Sequence, residues 1–161
     1  MADDTLTHLD EAGRPRMVDV GGKAVTRRTA HARMRVSFPP EAARALAAKD
    51  FATSKGPVFH TAIVAGVMAA KRTHELIPFC HPLGLEDCAI QVAMEGDDAV
   101  VDCRVSLSGR TGVEMEALTG ATVAGLTIYD MCKSLSKGIV LKEARLLEKT
   151  GGKSGDWRAA G

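Results

Sequence analysis

Aromatic side chains make up only 4% of this chain, with one Trp, one Tyr and four Phe, so the stacking platforms that hold single-stranded nucleic acid are missing. An excess of one charge is missing too. The 21 Lys plus Arg face 20 Asp plus Glu, and a formal net charge of +1 gives no broad basic field for a nucleic-acid backbone. Any anion site is therefore local. Cys80, Cys88, Cys103 and Cys132 form neither a CxxC pair nor the dense spacing of a secreted disulfide scaffold, which points to free thiols in a reducing cytosol. Long hydrophobic runs are absent as well. The most apolar segment, residues 58–70, is broken by His60, Thr61 and Gly66 and falls short of the roughly 18 apolar residues of a membrane span. The start, MADDTLTHLDEAGRPR, lacks the basic and apolar regions of a signal peptide. The expectation is a soluble protein without membrane or nucleic-acid partners.

What is present suits one compact domain: 161 residues with 45% apolar content can bury a substantial core. Residues 1–16, rich in Asp, Thr, Gly and Pro, read as a flexible arm, and residues 17–161 as a single α+β domain. Alternation through Ala30, Ala32, Met34, Val36 and Phe38 predicts a half-exposed strand over 25–38, which Pro39 and Pro40 stop. A short Ala-rich helix over 41–51 follows, then a loop at Ser54-Lys55-Gly56-Pro57. A helix over 58–76 comes next, with Ile63, Val67 and Ala70 on one face. Residues 77–83 contain two prolines and read as a rigid loop. Strands over 88–94 and 100–107 make a hairpin, a long helix runs over 111–137 to a left-handed cap near Gly138, and a strand over 139–147 returns. Residues 149–155 read as a flexible basic loop. This order favours an α+β sandwich, with helices packed on one face of an antiparallel sheet.

The long helix carries the sharpest chemical signal. Glu114 and Glu116 flank Met115 at one end, and Asp130 and Lys133 stand at the other, where unpaired charge in an apolar stretch is costly. Glu116 and Asp130 are nearly four turns apart and share a face, yet at ~1.5 Å per residue they lie roughly 21 Å from each other. One reacting atom cannot touch both. Small residues around Val123, namely Gly120, Ala121, Ala124 and Gly125, suggest that two copies of the helix cross there, bringing Glu116 of one toward Asp130 of the other. The bland alternative is a solvated stripe.

Asp130 and Lys133, at i and i+3, can pair, and a lysine with a lowered pKa would serve as an acid or base; the same spacing also makes ordinary surface salt bridges. Phe79-Cys80-His81-Pro82 presents an imidazole from a stiff loop, either as a donor to a phosphate or ring carbonyl or as a group tied into loop hydrogen bonds. Zinc on Cys80 and His81 would need remote ligands, and no second cluster has ligand spacing. Lys55, Lys149 and Lys153 in Gly-containing loops together suggest an anionic ligand. The segment GGKSG lacks the rest of a P-loop, so an ATPase is rejected. A non-catalytic nucleotide-binding oligomer would use the same features.

Several motifs together resemble the cyclic pyranopterin monophosphate synthase family of molybdenum-cofactor biosynthesis. They are MVDV at 17–20, Lys55-Gly56, IPFCHPL at 77–83, TGVEMEAL at 111–118, LTIYDMCK at 126–133 and GGKSG at 151–155. The resemblance implies a ferredoxin-like subunit and a homohexamer built as a trimer of dimers with shared active sites. It further implies a cytoplasmic phosphorus–oxygen lyase that releases pyrophosphate from a cyclised dihydro-GTP, with no cofactor and no metal-ligating residues among its site residues, whether or not magnesium accompanies the triphosphate. It also implies catalytic roles for Asp130, Lys133 and Lys55, and substrate contacts for Phe79, Cys80, His81, Glu114, Met115, Glu116, Lys149 and Lys153. Pro57 stands where the family commonly has Asp.

Overall fold

The structure is a computed structural model that describes residues 8–161. Residues 1–7 of the expected arm lie outside the described residues. Residues 8–16 form a tight turn in which Leu9 bridges to Pro15, the Arg16 N–H donates to His8 O, and the Asp10 carboxylate accepts from the Ala12 and Arg14 N–H groups.

Strand β1, Thr26–Ser37, shows the period-two pattern of its sequence, burying Ala30, Ala32, Met34 and Val36 on one face. Helix α1, Pro40–Ala47, begins at the second proline, where a missing N–H does least harm. The chain then forms a small hairpin, β2 (Ala52–Thr53) and β3 (Gly56–Pro57), with Ser54 and Lys55 at its tip. Helix α2 spans Val58–Ala70 and the one-turn α3 spans Thr73–Leu76. Strands β4 (Asp87–Glu95) and β5 (Asp98–Gly109) pair through a turn in which Gly96 takes φ 62°. Helix α4, Glu114–Cys132, precedes β6 (Val140–Thr150) and the short β7 (Trp157–Arg158).

The main sheet has the order β4-β5-β1-β6-β7, and every pairing in it is antiparallel. With α2 between β1 and β4 and α4 between β5 and β6, the long elements follow a β-α-β-β-α-β path with β5 and β1 central. This is a ferredoxin-like α+β sandwich, α2 and α4 covering one face. The opposite face carries paired charges, among them Asp102 between His31 and Arg33, and Arg35 beside Glu95. Those pairs let the uncovered face meet water.

Four expectations are corrected. The helix expected to reach Leu76 ends at Ala70: the Arg72 N–H closes a tighter turn on Ala69 O, and the Thr73 hydroxyl donates to Ala70 O at 3.0 Å as the separate one-turn α3 begins. Its buried stripe is Val58, Ala62, Gly66 and Ala70, which leaves Ile63 and Val67 only partly covered. Helix α4 stops at Cys132 with a right-handed cap at Lys133: the Leu135 N–H closes on Cys132 O and the Gly138 N–H on Ser136 Oγ, so Gly138 is not a left-handed cap. The small residues of α4 are used inside the chain. A Cβ on Gly66 would lie 2.7 Å from Gly120 O, and Gly120, Ala121, Ala124 and Gly125 are all buried against α2 and the sheet. They cannot form a crossing with another copy.

Candidate active site

At the first turn of α4 the ends of β1 and β6, the loop 77–83 and the segment 8–24 enclose a cavity of about 1100 Å³. Phe79, Cys80, His81, Glu114, Met115, Glu116, Lys149 and Lys153 all line it. Residues remote in sequence therefore converge because β1 and β6 are neighbours in the sheet and α4 starts beside their ends.

Its electrostatics are mixed by design of the fold. Glu116 is only 4% exposed, and burial, with Glu114 adding to it, pushes its carboxyl up to about 7. Near neutral pH it can therefore both give and accept a proton. Burial and the neighbouring Glu116 raise the Cys80 thiol, which makes it a poor nucleophile. Lys149 Nζ donates to Ser154 Oγ at 2.5 Å and stands 3.9 Å from Glu114. Lys149 belongs to β6 rather than to the loop expected there, and that loop is tied down: the Gly151 N–H donates to Asp156 Oδ1 and the Gly155 N–H to Gly152 O.

His81 meets both of its alternatives at once. It lines the cavity, and its Nε2 lies 2.8 Å from Val18 O. A carbonyl only accepts, so Nε2 carries the hydrogen toward Val18 O, and Nδ1 is the ring nitrogen left for another partner. Among the described residues no group of three or more His, Cys, Asp and Glu is arranged to hold a metal ion.

Three further cations line the cavity: Lys23, which reads from sequence as an ordinary solvated lysine, and Arg28 and Arg110, which escaped the sequence reading. Arg28 had a legible signal, since it falls in phase with the buried Ala30, Ala32 and Met34 and so places a charge on the apolar side of β1. Arg110 Nε donates to Lys23 O at 3.0 Å, tying the segment 8–24 to the end of β5. With Lys149 and Lys153, five cations face two carboxylates in the cavity, one of them held near neutrality. A chain of net charge +1 thus concentrates positive charge in one cleft.

Asp130, Lys133 and Lys55 lie elsewhere, at the last turn of α4 and outside that cavity. Asp130 is 2.8 Å from both Lys55 Nζ and Lys133 Nζ, and Lys55 also donates to Asp130 O at 3.1 Å. Lysine near a helix C-terminus is favoured there, as the last carbonyls lack partners. Hydrogen bonds from Lys133 and then Lys55 hold the Asp130 carboxyl down to about 2, and Asp130 in turn raises Lys133. The pairing therefore holds Lys133 away from the lowered pKa that would make it a ready acid or base in the single chain. Lys55 arrives on the β2–β3 hairpin, which follows two left-handed residues, Asp50 and Phe51 (φ 51° and 54°), anchored by Phe51 stacking on Phe59 at 4.9 Å. Pro57, with φ −69°, leads directly into α2 and does not draw Lys55 away from Asp130.

Fold and cleft together define a class: ferredoxin-like α+β proteins with a cation-lined pocket at the start of the second long helix. Within that class the chain belongs to the MoaC family, which it matches over residues 17–152. It is 54% identical over 149 residues to the cyclic pyranopterin monophosphate synthase of Xanthomonas oryzae pv. oryzae (strain MAFF 311018), covering 92% of this chain and 90% of that one. It is similarly 54% identical, with the same coverage, to the protein of that name from Xanthomonas axonopodis pv. citri (strain 306). Over 167 residues it is 49% identical to molybdenum cofactor biosynthesis protein 1 of Dictyostelium discoideum, covering 92% of this chain and 26% of that longer protein.

Proposed function

We propose that this chain is a cyclic pyranopterin monophosphate synthase. It converts (8S)-3',8-cyclo-7,8-dihydroguanosine 5'-triphosphate to cyclic pyranopterin monophosphate and pyrophosphate in molybdenum-cofactor biosynthesis. The observation that carries this reading is the 54% identity to synthases over nearly their whole length, joined to a cleft in which five cations gather. The reaction needs both kinds of group that the cleft holds. Opening the purine and reclosing it as a pterin moves protons, while closing the cyclic phosphate breaks the bond between the α- and β-phosphates and expels pyrophosphate, whose charge cations stabilise.

In this reading the carboxylates, Met115, Phe79, Cys80 and His81 hold the ring end. Lys149 and Lys153, with Lys23, Arg28 and Arg110, hold the phosphates. Asp130 with Lys55 and Lys133 carries the proton transfers, which makes the enzyme a phosphorus–oxygen lyase of the cytosol. Since Asp130 lies about 21 Å along α4 from Glu116, the proton-transfer cluster over any one cavity comes from another copy. The exposed side of the helices supports this, because α2 and α4 present Val64 (59% exposed), Met68 (47%) and Leu126 (52%), large apolar side chains left open among the described residues. A homohexamer of three such dimers is the assembly proposed.

Incubating the protein with the cyclised dihydro-GTP, while following pyrophosphate and the fluorescent oxidised pterin, tests the assignment. Both products form with native protein. Folded native protein that yields neither is a binder rather than this synthase.

A further inference from the structure

The β1–β6 pairing ends at Thr29 opposite Thr150, so Gly151 and Gly152 leave the sheet directly beside Arg27 and Arg28. Both glycines are left-handed, with φ of 86° and 82°. Their surroundings differ in a decisive way. A Cβ on Gly151 would fall 2.1 Å from Arg27 O, a backbone atom of a central strand, whereas a Cβ on Gly152 would fall 2.0 Å from Arg28 Nη1 and 2.8 Å from its Cζ. Gly151 therefore serves the sheet, and Gly152 makes room for one guanidinium.

Arg28 is half-buried and lines the cavity, and its Nε is buried with no hydrogen-bond partner among the described residues. A buried donor left open in this way is normally satisfied by something that arrives. The loop behind it does not yield readily, since the Gly151 N–H is held by Asp156, the Gly155 N–H by Gly152 O, and β7 pairs back onto β6. With the loop fixed, a side chain at position 152 would move the arginine.

We propose that Gly152 is a positioning residue, whose missing side chain is the seat in which the Arg28 guanidinium is held toward the cavity before the phosphate end of the substrate arrives. This rests on the synthase reading for the identity of the ligand. Holding a long side chain in its bound geometry removes an ordering cost from binding, and a planar guanidinium gains most from fixed orientation because it meets phosphate oxygens through two parallel donors.

The test is calorimetric titration of pyrophosphate into the full-length native protein and into Arg28→Ala, Gly152→Asn and the double variant, with thermal melting to confirm that each is folded. Asn tolerates a left-handed backbone but still carries the Cβ, so it separates the seat from the turn. Gly152→Ala takes its place if the Asn variant does not fold. Each single variant should weaken pyrophosphate binding about tenfold, and the double variant should bind no more weakly than Arg28→Ala alone. Losses that multiply, or native-like affinity in Gly152→Asn, would overturn the seat. Native protein that does not bind pyrophosphate would overturn both the seat and the phosphate role of the cavity, while the turnover assay judges the synthase reading separately.

Discussion

At its first turn α4 sinks Glu116 into a cavity wall, where burial keeps the carboxyl proton to about pH 7; at its last turn it holds Asp130 in the open between two lysines, which strip that proton down to about pH 2. One helix thus carries two carboxylates pushed in opposite directions from ordinary values, the first by lack of water and the second by neighbouring cations. The ends differ in completeness as well. The first has walls, a volume and five cations within a single chain, whereas the second has its charged groups in place but about half exposed: Asp130 at 53%, Lys55 at 48% and Lys133 at 57%. On the function proposed above, the cavity end would bind within one chain, and reaction would wait for a second chain to bring its cluster over the cavity.

The largest effect should come from Asp130→Asn, which removes the anion that orders both lysines. Turnover should fall at least about 100-fold, while pyrophosphate affinity stays within about twofold because the cavity end is untouched. Equal loss of both in a steady-state and titration experiment would erase the distinction between the ends. The next largest effect follows from Met68→Glu with Leu126→Glu, which places charge on the exposed apolar side of α2 and α4. Sedimentation velocity should show smaller particles that still melt cooperatively, and activity should drop about tenfold or more in step with the loss of assembly. Full activity in a monomeric variant would mean that one chain suffices.

A smaller effect concerns Glu116 alone. Its folded pKa lies above the ordinary 4.5, so between pH 4.5 and about 7 the unfolded chain ionises while the folded chain holds its proton, and stability falls with rising pH by about 3 kcal/mol in all. Glu116→Gln removes that loss. It should melt higher than native at pH 8, by about 5–10 °C, with the gap closing below pH 4.5, and should lose activity at every pH. A melting curve with native pH dependence would mean that Glu116 is solvated in solution.

The contrast between the ends also explains what could be read from the residues. Period-two alternation in β1 and the two-residue turn between β4 and β5 are local, so their places were legible. That the residues of the dense motifs at 77–83 and 111–118 share one cavity with Lys149 and Lys153 fits their expected grouping. Helix ends were less legible: they coincide with single local contacts, the Thr73 hydroxyl on Ala70 O and the Gly138 N–H on Ser136 Oγ, which the apolar pattern does not register. The role of Gly120 and Ala124 was misread because small residues permit close approach without saying to what, and here the partner is α2 of the same chain. Lys23 and Arg110 were hidden for the opposite reason. Each is an ordinary cation locally and becomes part of a site only once β1, β5 and the segment 8–24 are brought together.

The most direct measurement mixes two inactive proteins, Glu116→Ala and Asp130→Ala, after subunit exchange confirmed by mass spectrometry. If each working site takes its first turn of α4 from one copy and its last turn from another, a mixed pair rebuilds one intact site of two, and random exchange should restore about a quarter of native turnover. No recovery in a mixture proven to contain mixed pairs would contradict a site shared between copies.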